Sequence, residues 1–352
     1  MRPPSFAPVP MYGAGVSPLT LPNAAFLQSW HASSLGLTMG SGLVQTVPTD
    51  PGMSWDAEVT QNLAPRVDIT LGGLRGVATY GITLDGGLSY FQTGTTATLV
   101  PVPLMGRTLI MTPGLYTIGT QYNCVCKTVS NQTPKTRTLN GAVTDSSKPR
   151  VIARLKNGYP GLVGGAGTTG GLIDLTSAWA ADLVGAGGFT AASFAYFWVG
   201  ATAAPVPSGI QCFWSIGNTG AIDPDPAYYL GVRNGSGVFR ANRINDANTQ
   251  STRESVATAT ASIALYTFLL DSNNVTVRVN GTTIVNALSL GSGATTCDAM
   301  AFGCLLRSGL QTNAMAFTFM EAATYSTGSA ANWTAGNLGD VEGYFLGKYA
   351  LP

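Results

Sequence analysis

The twenty residues Tyr266–Val285, YTFLLDSNNVTVRVNGTTIV, decide the fold class. Val275, Val277 and Val279 fall on one face of an extended chain, and Thr276 and Arg278 on the other. A period of two marks a strand with one buried face. Asn280-Gly281 follows at once, and Thr282–Val285 then resumes the apolar run. A two-residue type I′ turn needs φ > 0 at both central positions, which Asn-Gly adopts with little strain, so a hairpin is expected. Upstream, Tyr266, Phe268 and Leu270 alternate in the same way and stop at a second turn, Asp271–Asn274. The stretch reads as an antiparallel meander.

Outward from it, further strands are expected at Ser193–Val199, Gln211–Ile216, Tyr228–Arg233, Met300–Leu305 and Met315–Tyr325. Many short, turn-punctuated strands without helical periodicity predict an all-β, antiparallel β-sandwich. The longest apolar stretch, Phe189–Ala204, carries Thr, Ser and Gly and stops at Pro205. It reads as a buried strand, because a membrane span needs about 20 strongly apolar residues. One helix is expected at Leu338–Tyr349, where Leu338, Val341, Phe345 and Tyr349 recur at spacings of three and four. Asn337 is the expected cap, with Asp340 near the positive end and Lys348 near the negative one.

The chain before residue 150 reads differently. Residues 1–22 hold Pro3, Pro4, Pro8, Pro10, Pro18 and Pro22, which exclude a helix or central strand. Such a segment is either a solvated tail or an extended arm, and Phe6, Val9, Met11, Tyr12 and Val16 favour an arm lying on a neighbour. Residues 23–150 form an N-terminal β region with a connector. In it Asp85-Gly86-Gly87 signals a tight turn between alternating segments. Residues Lys127–Arg150 are polar and read as the connector. No signal peptide is expected in MRPPSFAPVP, which has no apolar run before its prolines. Residues 151–352 hold the sandwich.

Composition narrows the function. Only 10% of the 352 residues are charged, and 18 Lys+Arg against 17 Asp+Glu leave a net charge of +1. An ordinary domain carries about 25% charged residues. A binder of nucleic acid needs a strong basic excess, so that class is excluded. The low charge implies either a surface dressed in Thr, Ser and Asn or a surface hidden against partners. The five cysteines, Cys124, Cys126, Cys212, Cys297 and Cys304, make a poor disulfide framework, although one pair stays open. With His31 the only histidine, zinc is not expected.

Several segments resemble the laminin-G/concanavalin A-like jelly-roll domains of tailed-bacteriophage virion proteins. These are NGYPGLV from Asn157, GGFTAASFAYFWVGA from Gly187, the Tyr266–Val285 meander, FTFMEAATYS from Phe317 and GDVEGYFLGKYALP from Gly339. The last, in order after the hairpin, is the most specific, and the resemblance covers about residues 150–352. FLQSWHASSLGL from Phe26, with APRV from Ala64, is similar to the opening of such domains. On that version the domain starts near Leu21 and residues 67–127 are an inserted β unit.

Chemistry is sparse. Gly165-x-Gly167-x-x-Gly170 matches a dinucleotide fingerprint, but no acid stands about 20 positions on and the flanks read as β, so chance explains it. Any Ser-His-Asp or Cys-His arrangement would have to use His31, beside Trp30. Glu321 lies on an expected strand without a carboxylate at i+2 or i+4, so a retaining glycosidase pair is unsupported. Asp223 and Asp225, followed by Tyr228 and Tyr229, are the best ligand-binding candidates. Loop carboxylates suit Ca²⁺, and carboxylates beside aromatic faces suit sugars. Asp-Pro pairs also simply initiate turns. Trp198 and Trp214 are expected in the core, and Trp333, in GSAANWTAGN, on the surface as a further, weaker ligand-binding candidate.

The resemblance implies a non-enzymatic virion structural protein displayed on the particle surface, as a tail-fibre-like or head-decoration component made in a bacterial host's cytoplasm. Its partners would be other virion proteins through the N-terminal region, further copies of itself as a homo-oligomer (a trimer by analogy with fibres), and host surface glycans. Membrane insertion and nucleic acid are not expected. The alternative is a carbohydrate-binding adhesin, and a polysaccharide-degrading enzyme ranks last.

Overall fold

The computed structural model describes residues 17–35, 37–60, 64–74, 77–96, 98–130, 132–133, 138–141, 149–164, 172–174, 193–202, 210–217, 227–233, 238–257, 262–307, 310–312 and 317–352. The meander forms as its pattern requires. Asn274–Val279 pairs with Ala264–Asp271 on one side and Thr282–Ser289 on the other, all antiparallel. Asn280 and Gly281 take φ of 46° and 77°, and Ser272 and Asn273 take 48° and 74°. Both connections therefore use the left-handed backbone that suits the twist of paired strands. Val275 and Val277 are fully buried.

From this meander the first sheet continues through Ser193–Thr202 to Phe317–Tyr325. The far side of Phe317–Tyr325 is shared by Leu27–Ala32 and Tyr159–Val163, and Arg150–Lys156 extends the sheet beyond the latter. The second sheet runs Gln250–Ala257, Val238–Ile244, Ala227–Arg233, Ile210–Gly217, Ala299–Phe302, Leu172–Asp174, Thr138–Gly141 and Gln121–Ser130. Phe194, Tyr196, Trp198 and Phe268 of the first sheet meet Trp214, Tyr228, Leu230 and Phe302 of the second in one buried core. The molecule is thus an all-β antiparallel sandwich, with Trp198 and Trp214 fully enclosed.

The strand Gln121–Ser130 joins two regions. Its first residues, 121–123, pair with Arg66–Asp68, whereas 128–130 pair with Thr138–Asn140. Along its other edge it pairs with Leu37–Gln45. An antiparallel unit grows from there, through Met53–Trp55, Arg107–Met111 and Leu99–Val102 on one side. Arg66–Leu71, Thr79–Thr83 and Gln92–Thr95 complete it on the other. Two expectations need correction here. Lys127–Ser130 and Thr138–Gly141 are strands rather than connector, and Lys127 is ion-paired with Glu58. Asp85-Gly86-Gly87 lies in a longer loop rather than a two-residue hairpin, because Ile82 pairs with Gln92. Asp85 organises that loop by accepting bonds from Thr83 Oγ1, Ser89 N and Ser89 Oγ. These bonds outweigh burial and hold its carboxyl down at about 2.

The helix spans Ala335–Lys348 and lies on the outer face of the first sheet. Its cap is Thr334, whose Oγ1 accepts from Asn337 N at 3.3 Å, and not Asn337 itself. Asn337 is inside the first turn and donates its amide to Asn332 O at 2.9 Å. Asp340 lies beyond that first turn, which holds no acidic residue. The three- and four-residue spacing is confirmed in packing: Val341, Phe345 and Tyr349 bury against Ala195, Phe197, Val199 and Ala323. Among the described residues no helix is long and apolar enough to cross a membrane. Of the N-terminal arm, residues 1–16 lie outside the described residues, and Pro18–Thr20 form a short 3₁₀ turn with Pro18 buried.

Candidate functional site

Asp223, Asp225 and the glycine motif at 165–170 lie outside the described residues. Tyr228 and Tyr229 are neighbours on one strand and so point to opposite faces of the second sheet. Tyr228 faces the sandwich interior, where its ring packs edge-on to Phe194 at 5.7 Å and lies under Arg243 Cζ at 5.3 Å. It is fully buried, and burial pushes its hydroxyl up to about 12. It is core, not a platform for ligand. Trp333 is also core: its Nε1 donates to Thr327 O at 2.7 Å, and its ring packs 5.1 Å from both Phe197 and Tyr325. The polar loop around it hid this, because loop composition says nothing about which side chain turns inward.

Tyr229 faces outward, beside Cys212, Ala227 and Leu305. Two strands absent from the sequence expectations complete its surroundings. Val238–Ile244 places Asn242 opposite Tyr229, and Gln250–Ala257 places Thr252 opposite Asn242 and Glu254 opposite Arg240. In adjacent rows near the sheet's edge this outer face carries Tyr229 and Asn242, both buried, with Arg240 and Thr252 half-buried and Glu254 exposed. Arg240 grips Glu254 Oε1 through Nε at 2.8 Å and Nη2 at 2.5 Å. Burial opposes the arginine charge, but the bond and charge of Glu254, with help from Tyr229, raise its pKa above the ordinary value. The Asn242 amide group meets Gln250 at 2.8 Å and Thr252 at 2.6 Å. Glu254 and Gln250 remain exposed. A legible signal existed in the alternation of Arg240 with Asn242 and of Thr252 with Glu254. Reading those strands by their few hydrophobic residues concealed it.

No family model and no curated protein matches the chain. Among solved structures, the Ruminococcus gnavus IT-sialidase CBM40 is 17% identical, with 39% of this chain and 78% of that one covered, at a TM-score of 0.33. The K499G mutant of NanB sialidase from Streptococcus pneumoniae is 16% identical over 44% of this chain and 24% of its own, at 0.35. The botulinum neurotoxin type G receptor binding domain is 9% identical over 62% and 48%, at 0.40. At these identities and TM-scores the likenesses carry no argument, and the site rests on its own chemistry.

Three other groups of side chains carry chemistry-bearing atoms. Glu321 is fully buried and accepts from Trp30 Nε1 at 2.5 Å, Tyr344 OH at 2.9 Å, and Lys348 Nζ and Tyr349 OH at 2.6 Å each. Every lone pair is engaged and no solvent reaches it, so it fastens the helix rather than transferring a proton. Glu342 is likewise held by Thr267 Oγ1 and by Arg278 Nε and Nη2. All five cysteines are buried and none forms a disulfide. Burial pushes the Cys124 and Cys304 thiols up to about 12, which removes the thiolate that nucleophilic chemistry needs. Among the described residues no three His, Cys, Asp or Glu side chains converge as metal ligands.

Proposed function

We propose that this protein is a non-catalytic, carbohydrate-binding adhesin, with the outer face around Tyr229, Arg240, Asn242, Thr252 and Glu254 as its recognition surface. The observation that carries this reading is the Arg240–Glu254 ion pair beside Thr252 and the exposed Gln250 amide on one rigid sheet face, backed by the buried Tyr229 and Asn242. Sugar hydroxyls take paired donors and acceptors of this kind, and planar side chains fix their direction. Strands hold such groups more firmly than loops do. The 218–226 segment, with Asp223 and Asp225, precedes Ala227–Arg233 in sequence, so its carboxylates and Ca²⁺ belong to the same proposal. A glycan array tests it: wild type should retain a glycan class that Arg240→Ala and Glu254→Ala lose while keeping the wild-type melting temperature. Equal binding by wild type and variants, or none by any, would overturn it.

A second reading, a bacteriophage virion structural protein on the particle surface, is favoured by a specific feature of the N-terminal unit. Among the described residues, nine of the eleven exposed large hydrophobic side chains lie between Leu71 and Ile118. Leu74 stands directly opposite Leu115, Val77 N bonds Leu74 O, and Gly72 abuts the backbone of Ile118, so these side chains share one tip. Contiguous apolar surface of this kind marks a contact with a partner. Only Arg75, Asp85 and Arg107 are charged in 71–118, which suits burial in an assembly, whether with other virion proteins or as a homo-oligomer such as a trimer. Immuno-gold labelling of particles against this chain tests the reading, and unlabelled particles beside labelled cytosol would sink it.

A further inference from the structure

Thr324 is the register partner of both Ser29 and Tyr196, so these three residues form one row across adjacent strands. His31 and Trp198 flank Ala322 in the next row. Both rows face the sandwich interior. The Tyr196 ring stacks 4.5 Å from Trp214 and 5.9 Å from Phe302, and His31 meets Phe302 edge-on at 6.3 Å. Within this small volume Ser29 Oγ, Thr324 Oγ1, Tyr196 OH, Trp214 Nε1 and both ring nitrogens of His31 are buried and bond to no protein group.

One buried polar group without a partner is unusual, and five such residues, four in two neighbouring rows of the first sheet and Trp214 on the second, are not five accidents. The chemistry of the missing partner is readable. Among the described residues no Lys or Arg bonds to these atoms to help hold an anion. A single imidazole is too few ligands for a metal, and His31 itself is neutral, since burial holds its pKa down at about 3. An apolar occupant would leave every donor and acceptor unpaired. The hydroxyls both give and take hydrogen bonds, the imidazole does one of each, and the indole only gives. Water matches all of them. Space for it comes from sequence: packed sheets lie about 10 Å apart, and Ser29, Ala322 and Thr324 are short side chains set beside long ones.

We infer that the sandwich interior holds a small cluster of ordered water molecules bridging Ser29, His31, Tyr196 and Thr324, with Trp214 at its margin. The cluster adds a solvent-mediated link between the Leu27–Ala32 strand and the core, beside the edge-on contact of His31 with Phe302. A high-resolution crystal structure of the full chain should show water peaks within hydrogen-bond distance of at least two of these side chains. Peaks absent, or the same atoms bonded to protein groups, would overturn the inference. Thermal melts of Thr324→Val and Tyr196→Phe give an independent reading in solution. If water bridges the hydroxyls, each variant should lose about 2 °C or more in Tm. If the interior is dry, each deletes an unpaired hydroxyl and Tm rises, which also overturns the inference.

Discussion

Lys348 Nζ lies 2.6 Å from Glu321 Oε2, and the two enclosed side chains join the last turn of the helix to the middle of the first sheet. The ammonium also sits 5.3–5.4 Å over the rings of Tyr159, Tyr344 and Tyr349. Removing one member of a buried pair leaves an uncompensated charge, which costs about 3–5 kcal/mol. Glu321→Gln strands Lys348 in this way and should lower the urea-unfolding free energy by an amount in that range. Lys348→Met should cost less, because Glu321 keeps its bonds from Trp30, Tyr344 and Tyr349. Equal losses in the two variants would show that the ion pair is not the principal partner of Glu321.

His31 makes stability depend on pH. Burial lowers its pKa from 6.5 to about 3, so the folded chain keeps the ring neutral where the unfolded chain protonates it. Stability is therefore complete above pH 6.5, falls as pH drops towards 3, and is flat in this group below that. The fall amounts to at most about 5 kcal/mol. His31→Phe should flatten the slope of unfolding free energy between pH 6.5 and 4. An unchanged slope would assign the acid sensitivity elsewhere.

Glycines in the loop before the helix and in the helix itself should behave oppositely. A Cβ on Gly328 would overlap the backbone oxygens of Leu270 and Phe194, so Gly328→Ala should unfold the chain or cut its expression. Gly336, Gly339 and Gly343 lie in the helix with nothing near a new Cβ. Alanine at each should stabilise by up to about 1 kcal/mol, measured as a raised urea midpoint.

The apolar tip predicts association without a cost in stability. Leu74→Ser with Leu115→Ser should reduce the oligomer mass found by light scattering and leave the melting temperature within about 1 °C, since exposed side chains contribute little to folding. A wild-type chain that is monomeric at every concentration would remove the basis for an assembly surface.

The meander was legible because each of its signals is local. Alternating valines place one face inward, and Asn280-Gly281 adopts the left-handed turn without help from the rest of the chain. Phe345 and Tyr349 declared the helix for the same reason. The site was less legible. Tyr229 was visible as an aromatic residue, but Arg240 and Glu254 are 14 positions apart and meet only through strand register. Trp333 misled because one hydrogen bond from its Nε1 to Thr327 O turns a loop indole into the core.

By itself, then, the sequence determined the strand period, the two tight turns, the amphipathic helix and the absence of a basic surface, all consequences of near neighbours and composition. Tertiary structure alone decided that Tyr228 and Tyr229 part company across a sheet, that Glu321 collects its donors from both ends of the chain, and that Leu27–Ala32 brings His31 into the sandwich. Pairing of distant strands turns a modest shift of register into a different face. A protein with only 10% charged residues has few long-range electrostatic cues to reveal those pairings in advance.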